Sequence, residues 1–95
     1  MLGRMKRRDL WRKVLEAEVQ RWSPLSAEEL LAQLQDIQAY EVTLDGKNYQ
    51  VEVELLADTP EQVQVMVAVD DGSLPASIVP VTEIFIRAKR LDGSS

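Results

Sequence analysis

The hydrophobic pattern of this chain changes its period once, near residue 40, and that change restricts the fold more than any other feature. Before it, apolar residues recur at steps of three and four, the spacing of one face of a helix. After it, apolar and polar residues alternate, the spacing of a strand with one buried face. For a chain of 95 residues, the pattern predicts one α+β domain in which helices precede strands.

Two helices are predicted before the change. The first covers residues 9–22, and its apolar stripe consists of Leu10, Trp11, Val14, Leu15, Val19 and Trp22. Pro24 ends this helix, because proline disfavours helical geometry in the residue before it. The second helix begins after Ser26, a good N-cap with the glutamate of a capping box three residues later. Its apolar face continues through Ile37 to about residue 38.

Three alternating runs follow, over residues 40–44, 49–55 and 63–69. Asp45-Gly46, between the first two runs, is a strong signal for a hairpin turn. A loop of two residues and a loop of four both keep the apolar residues on one face, so the pattern leaves the loop length open.

The segments between and after these runs are predicted from their turn residues. Residues 57–61 and 70–73 are predicted turns, since both are rich in residues that favour turns. Residues 76–79 are predicted as a short fourth strand, which the prolines on either side keep at an edge. Residues 82–90 suit either a strand or a short helix, and a helical turn is the preferred interpretation.

The apolar face of the strands needs a cover, which only the two helices can supply. The predicted fold class is therefore α+β, with two N-terminal amphipathic helices packed on one face of a three- to four-stranded antiparallel β-meander. Residues 1–95 are predicted to form one domain, with residues 1–8 as a basic arm and residues 91–95 as a frayed tail.

The chain contains neither His nor Cys. This excludes Ser-His-Asp and Cys-His catalysis, the usual zinc sites and disulfides. The four glycines are isolated, which excludes a glycine-rich nucleotide-binding loop. Glu52 and Glu54 alternate as on an exposed sheet face, and no other group converges on them. We expect no enzymatic activity, no cofactor, no metal and no small-molecule ligand.

The net charge of −5 conceals a strong asymmetry along the chain. Residues 22–86 carry twelve acidic groups and one basic group, whereas the basic segment, residues 1–13, carries six basic groups and one acidic group. The basic residues of this segment are Arg4, Lys6, Arg7, Arg8, Arg12 and Lys13. They suit the phosphates of a nucleic acid or an acidic protein surface, including that of a second copy. A solvated helix face is the plain structural alternative.

Three large apolar residues are further candidates for partner binding. Trp11 and Trp22 lie eleven residues apart, near one helical face. They are either interface anchors or parts of the core, and the core is the preferred interpretation. Met66 is predicted on the outer, mostly polar sheet face, where it forms a small adaptable patch with Leu56. The edges of an open meander can also pair with a second chain.

The location of the protein is predicted from what the sequence lacks. No run of about 18 apolar residues occurs, so no membrane span is expected. The positive N-terminus is not followed by the apolar run of a signal peptide. The absence of Cys suits a reducing compartment, and we expect a cytoplasmic protein.

A distinct pattern runs through residues 26–86. It consists of Tyr49-Gln50-Val51-Glu52-Val53, then Val67-Ala68-Val69-Asp70-Asp71-Gly72-Ser73, and then Pro80 and Phe85-Ile86. This pattern resembles small uncharacterised bacterial α+β proteins of unknown function. The resemblance implies a bacterial source and no particular activity.

These features predict a non-enzymatic module that binds another protein or forms a homodimer. The alternative is a nucleic-acid-associated regulator that uses the basic segment. Salt separates the two, because binding to nucleic acid phosphates weakens steeply as the salt concentration rises.

Overall fold

The structure, a computed structural model, describes residues 7–72 and 81–89. Its elements in chain order are α1 (Arg7–Trp22), α2 (Ala27–Gln33), β1 (Gln38–Leu44), β2 (Lys47–Asp58), β3 (Gln62–Asp70) and β4 (Val81–Ala88). The four strands form one sheet in the order β1-β2-β3-β4, and every neighbouring pair is antiparallel. The predicted α+β class with an antiparallel sheet is confirmed.

Helix α1 forms because its apolar residues share one stripe. Trp11, Val14 and Leu15 from this stripe are buried, and α1 contacts both β3 and β4. Buried aromatic and aliphatic side chains supply most of the stabilisation of a small domain, so this stripe is the main apolar contribution of α1 to the core.

Helix α2 begins as predicted but ends early. The Ser26 hydroxyl accepts from the Glu29 backbone N–H at 3.1 Å, and the Glu29 carboxylate accepts from the Ser26 N–H at 2.9 Å, which completes the capping box. The helix ends at Gln33, so its predicted extension to residue 38 is wrong. Strand pairing is the reason: Gln38 already pairs with Val53 in the sheet. Ile37, expected on the apolar face, is 56% exposed.

The β1–β2 hairpin has a two-residue loop. Leu44 pairs with Lys47, and the loop residues Asp45 and Gly46 have φ of 53° and 75°. Positive φ at both positions is the mark of a type I′ turn, whose twist matches that of the flanking strands. The alternation of apolar residues leaves the loop length open. The preference of Asp45-Gly46 for a type I′ turn sets it at two residues.

Strand β2 runs further than the sequence predicts. It continues to Asp58, through residues that the sequence predicts to begin a turn. A register irregularity allows this: Leu55 pairs with Val65, but Ala57 pairs with Gln64, which leaves Leu56 as the extra residue of a β-bulge. The turn begins after Asp58 and includes Thr59, whose hydroxyl contacts the backbone of Gln62.

Residues 81–88 form a strand, so the helical-turn interpretation of residues 82–90 is wrong. Strand β4 pairs with β3 along its whole length, from Val69↔Val81 to Gln62↔Ala88. This pairing with a distant strand overrides the local spacing that also fits a helix. The predicted strand over residues 76–79 and the predicted tail over residues 91–95 lie outside the described residues.

One hydrophobic cluster joins the helices to the sheet. Its buried members from the helices are Trp11, Val14, Leu15, Trp22, Ala27, Leu30 and Leu34, and those from the strands are Tyr49, Val51, Val53, Val63, Val65, Val67, Val69 and Val81. The strand members alternate in sequence and pair with one another across the sheet, so they occupy one of its faces. The other face contributes none of them.

Candidate interaction surface

The face of the sheet opposite this cluster is here called the free face. Strand register places on it Ala39, Glu41, Thr43, Gln50, Glu52, Glu54, Gln64, Met66, Ala68, Thr82, Ile84 and Ile86. Its β1 and β2 side is polar and acidic, as the sequence predicts for an outer face. Its β3 and β4 side carries Met66, Ala68, Ile84 and Ile86 beside the polar Gln64 and Thr82, and this apolar content makes it the candidate site.

The apolar patch of the free face consists of Met66, Ile84 and Ile86. Met66 pairs directly with Ile84, and Ile86 follows two residues later on the same side of β4. The two isoleucines are 54% and 55% exposed. Four large apolar side chains are exposed within residues 7–72 and 81–89, and two of them stand in this patch. Adjacent exposed apolar groups mark an interaction surface, whereas single ones are ordinary.

The sequence predicts Met66 as a candidate, but it does not single out the two isoleucines. They lie in residues 82–90, for which a helical turn is the preferred interpretation. Under that interpretation, the two side chains do not share a face. The alternation of Ile84 and Ile86 is the available signal, and it also suits a strand. Pairing with β3 makes this segment a strand and not a helix.

Strand β4 also forms an edge of the sheet. It is the last strand in the order, so in the described part of the chain its backbone pairs only with β3. The N–H and C=O groups on the outer side of such a strand can pair with another chain. The apolar patch and the free edge therefore lie on the same strand.

Two charged residues of β4 have no ion-pair partner among the described residues. Glu83 is exposed. Arg87 lines an open groove of about 770 Å³, between the start of α2 and the end of β4, and its Nε is buried without a hydrogen-bond partner. Lys89, just beyond the strand, is paired with Asp58. A buried donor left unpaired is unfavourable, so a carboxylate that reached Arg87 would be stabilised.

A cluster of polar side chains connects α1 to β1 through hydrogen bonds. The Trp22 indole N–H donates to the Tyr40 hydroxyl at 2.8 Å, and that hydroxyl donates to the Glu18 carboxylate at 2.5 Å. Arg21 lies 3.6 Å from the same carboxylate. Burial, followed by the hydrogen bond to Glu18, raises the pKa of Tyr40 to about 12. Glu18 is only 7% exposed, and its Oε1 is contacted by both Tyr40 and Arg21, so the cluster has a structural role.

Replacing Tyr40 by phenylalanine is expected to lower the free energy of unfolding at neutral pH by about 1–3 kcal/mol, because Glu18 then stays buried without its donor. The wild type should also lose stability as the pH rises from about 10, the pKa of an unfolded tyrosine, to about 12. In that interval the unfolded chain has released the phenol proton and the folded chain still holds it. Urea denaturation at several pH values checks both effects.

The matched control for this change is Thr43→Val, which removes an exposed hydroxyl from the same strand. We expect it to leave stability within about 0.5 kcal/mol of the wild type. A Tyr40→Phe variant with the same alkaline stability loss as the wild type would contradict the assigned role of Tyr40.

The other sequence candidates that the structure describes lie either in the core or on the exposed side of α1. Trp11 and Trp22 are 1% and 8% exposed within a single chain, so they belong to the core and present little surface to a partner. Arg12 and Lys13 are exposed on α1. The backbone of residues 7 and 8 forms the start of α1, and residues 4 and 6 lie outside the described part of the chain. Among the described residues, Met66 is the one sequence candidate that lies in the apolar patch.

Within residues 7–72 and 81–89, no group of three or more acidic side chains is arranged to hold a metal ion. No helix in the same part of the chain is long and apolar enough to cross a membrane. No family model, curated protein or solved structure matches the chain.

Proposed function

We propose that this protein is a non-enzymatic interaction module that docks a protein chain, a second copy included, on the apolar patch of its free face. The observation that carries the proposal is the pair of exposed isoleucines beside Met66 on an edge strand. Burying such side chains against a partner removes apolar surface from water, which is the main driving force of protein association.

The packing of the helices supports this assignment of faces. Helix α1 contacts β3 and β4, and α2 contacts β3. The buried side chains of both helices belong to the same cluster as the strand residues opposite the free face. We therefore assign both helices to one face as its cover, which leaves the free face for a partner.

The surroundings of the patch have the composition of an interface rim. Glu54, Gln64 and Thr82 are the polar neighbours of the patch in the strand register. An apolar centre with a polar border is the usual anatomy of a protein–protein interface.

The nucleic-acid alternative has less support from the described residues. The basic side chains described on α1 are Arg12, Lys13 and Arg21, and Arg21 is engaged with Glu18. Arg12 and Lys13 are the exposed basic side chains of the basic segment that the structure describes, and these two alone do not make the cluster of Lys and Arg that phosphate binding generally uses.

The test compares capture by three immobilised proteins: the wild type, Ile84→Lys/Ile86→Lys and the control Thr43→Lys/Gln50→Lys. The control places the same added charge on the same face, at exposed positions away from the patch. Proteins from a lysate of the source organism, and the purified chain itself, are offered to each. We expect to capture a partner that binds the wild type and the control but does not bind the patch variant, Ile84→Lys/Ile86→Lys.

Two results would overturn the proposal. One is that every captured protein binds the patch variant as well as the wild type. The other is that the wild type captures nothing and does not associate with itself. Circular dichroism of each variant shows whether the fold is kept, so that a loss of capture is attributed to the surface.

A further inference from the structure

Strand β4 is complementary to itself around one residue. From residue 83 to residue 87 its sequence is Glu, Ile, Phe, Ile, Arg, with Phe85 at the centre. In antiparallel pairing with a copy of itself, the residues before the centre meet the residues after it. An acid then meets a base, and an isoleucine meets an isoleucine.

We propose that β4 pairs antiparallel with β4 of a second copy about a two-fold axis at Phe85, which joins the two sheets into one of eight strands. The inference rests on the proposed function and names its partner. A symmetric dimer of this kind uses the same surface of both copies, as is usual for two-fold assemblies. Backbone hydrogen bonds along the outer side of β4 supply the pairing.

Charge complementarity selects this partner. In the Phe85-centred register, Glu83 lies opposite Arg87 of the second copy, and symmetry repeats the pair. The Cβ atoms of directly opposite residues in antiparallel strands are about 4.5–5.5 Å apart. That separation lets a carboxylate reach a guanidinium, and opposite charges in this position stabilise a sheet.

The pairing also supplies what both residues lack in a single chain. Arg87 has a buried Nε without a hydrogen-bond partner, and Glu83 is exposed without an ion pair in the described part of the chain. The carboxylate of the second copy would give the guanidinium the counter-charge that it lacks among the described residues of a single chain. Hydrogen bonds to charged groups are among the stronger ones, so this contact favours one register over others.

On the free face, the same register joins the two apolar patches. Ile84 lies opposite Ile86 of the second copy, and the symmetric pair lies on the other side of the axis. Met66, which pairs with Ile84 within each chain, extends the row outward. The two most exposed large apolar side chains of the described strands thus become cross-strand neighbours, an arrangement favourable for β-branched residues.

Other registers of β4 lose these contacts. A shift by one residue pairs the free face of one copy with the core face of the other. A shift by two in one direction places Glu83 opposite Phe85. In the other direction it places Glu83 opposite Lys89, which is already paired with Asp58.

The opposite edge of the sheet has no such complementarity. Strand β1 runs from Gln38 to Leu44, so full-length pairing with its own copy centres on Glu41. Two glutamates then face each other at the axis, and like charges directly opposite destabilise a sheet. The sequence thus opposes full-length self-pairing at β1, whereas at β4 the Phe85-centred register is favourable.

The position of α1 is compatible with this dimer. Helix α1 contacts both β3 and β4, and strands in a sheet are about 4.8 Å apart. In the joined sheet, the α1 helices of the two copies lie on the same face, one on each side of the two-fold axis.

The test uses two single variants of the full chain, Glu83→Arg and Arg87→Glu. Each variant alone places like charges opposite each other twice in the dimer. An equal mixture restores two opposite-charge pairs in the heterodimer, because the arginine introduced in one variant meets the glutamate introduced in the other. By sedimentation velocity we expect the wild type to dimerise, each variant alone to associate at least about tenfold more weakly, and the mixture to recover.

The controls separate this inference from the proposed function. The recovery in the mixture shows that the variants are folded, and the double variant Glu83→Arg/Arg87→Glu should dimerise like the wild type. A wild type that stays monomeric, or variants that associate as strongly alone as when mixed, would overturn the pairing. If the pairing is overturned but a partner is still captured through Ile84 and Ile86, the proposed function stands. If no capture depends on Ile84 and Ile86 either, both the pairing and the proposed function are wrong.

Discussion

Replacing Trp11 by alanine is expected to lower the free energy of unfolding by about 3–5 kcal/mol, the largest effect of any single truncation in this chain. Trp11 is 1% exposed and belongs to the cluster between α1 and the sheet. Its removal subtracts the largest apolar side chain of the core and leaves a cavity that the surrounding strands cannot fill. Small domains are stable by only about 5–15 kcal/mol, so much of the stability is lost.

Urea denaturation followed by far-ultraviolet circular dichroism measures this effect without relying on tryptophan fluorescence. Arg12→Ala is the matched control, since it truncates the next residue, which is exposed. The loss for Trp11→Ala should be the same at low and high protein concentration. A loss that appears only at high concentration would instead place Trp11 at an interface between chains.

Replacing Leu30 by alanine is expected to lower the free energy of unfolding by about 2–5 kcal/mol and to release α2. Helix α2 has seven residues, too few to be stable without tertiary contacts. Leu30 is 0% exposed and is its most buried side chain, whereas the capping box only satisfies the first turn. Truncation therefore removes the contact that keeps the helix on the sheet.

Hydrogen exchange of the α2 amides, combined with urea denaturation, tests this effect. Leu31→Ala is the matched control, because Leu31 is the next residue of the same helix and is only partly buried. We expect a smaller loss of stability and little change in α2 exchange for the control. Equal losses for the two leucines would show that α2 is not anchored through Leu30.

The parts of this fold that the sequence predicts correctly are those with strong local signals. The capping box at Ser26 and the turn at Asp45-Gly46 each depend on residues within a few positions, and both form as expected. The alternation of β3 is equally local and gives its burial pattern except at Ala68, which is also buried. In these segments, local preference and tertiary packing agree.

The parts that the sequence does not predict are decided by distant pairing. Residues 81–88 suit both a helix and a strand locally, and only their register with β3 makes them a strand. The bulge at Leu56 arises from the fit between β2 and β3 and has no glycine or proline to announce it. The early end of α2 follows from the pairing of Gln38 with Val53, although the helical pattern of the sequence extends to about residue 38.

The candidate surface is only partly predictable for the same reason. Met66 stands out in the sequence as an apolar residue on a polar face. Ile84 and Ile86 join it only once β4 is placed beside β3, and the importance of Arg87 depends on its burial and its register. The basic segment is the most conspicuous feature of the sequence, yet its described residues do not border the apolar patch.

The central claim is that β4 is the strand through which this protein binds a chain, its own copy first. Amide hydrogen exchange of the full chain, measured well below and well above the dissociation constant, tests it most directly, with β1 as the internal control. Pairing predicts that the β4 amides pointing away from β3 become protected at high concentration, while those on the outer side of β1 do not change. Equal exchange of the β4 amides at all concentrations, or protection of β1 instead, would contradict the account.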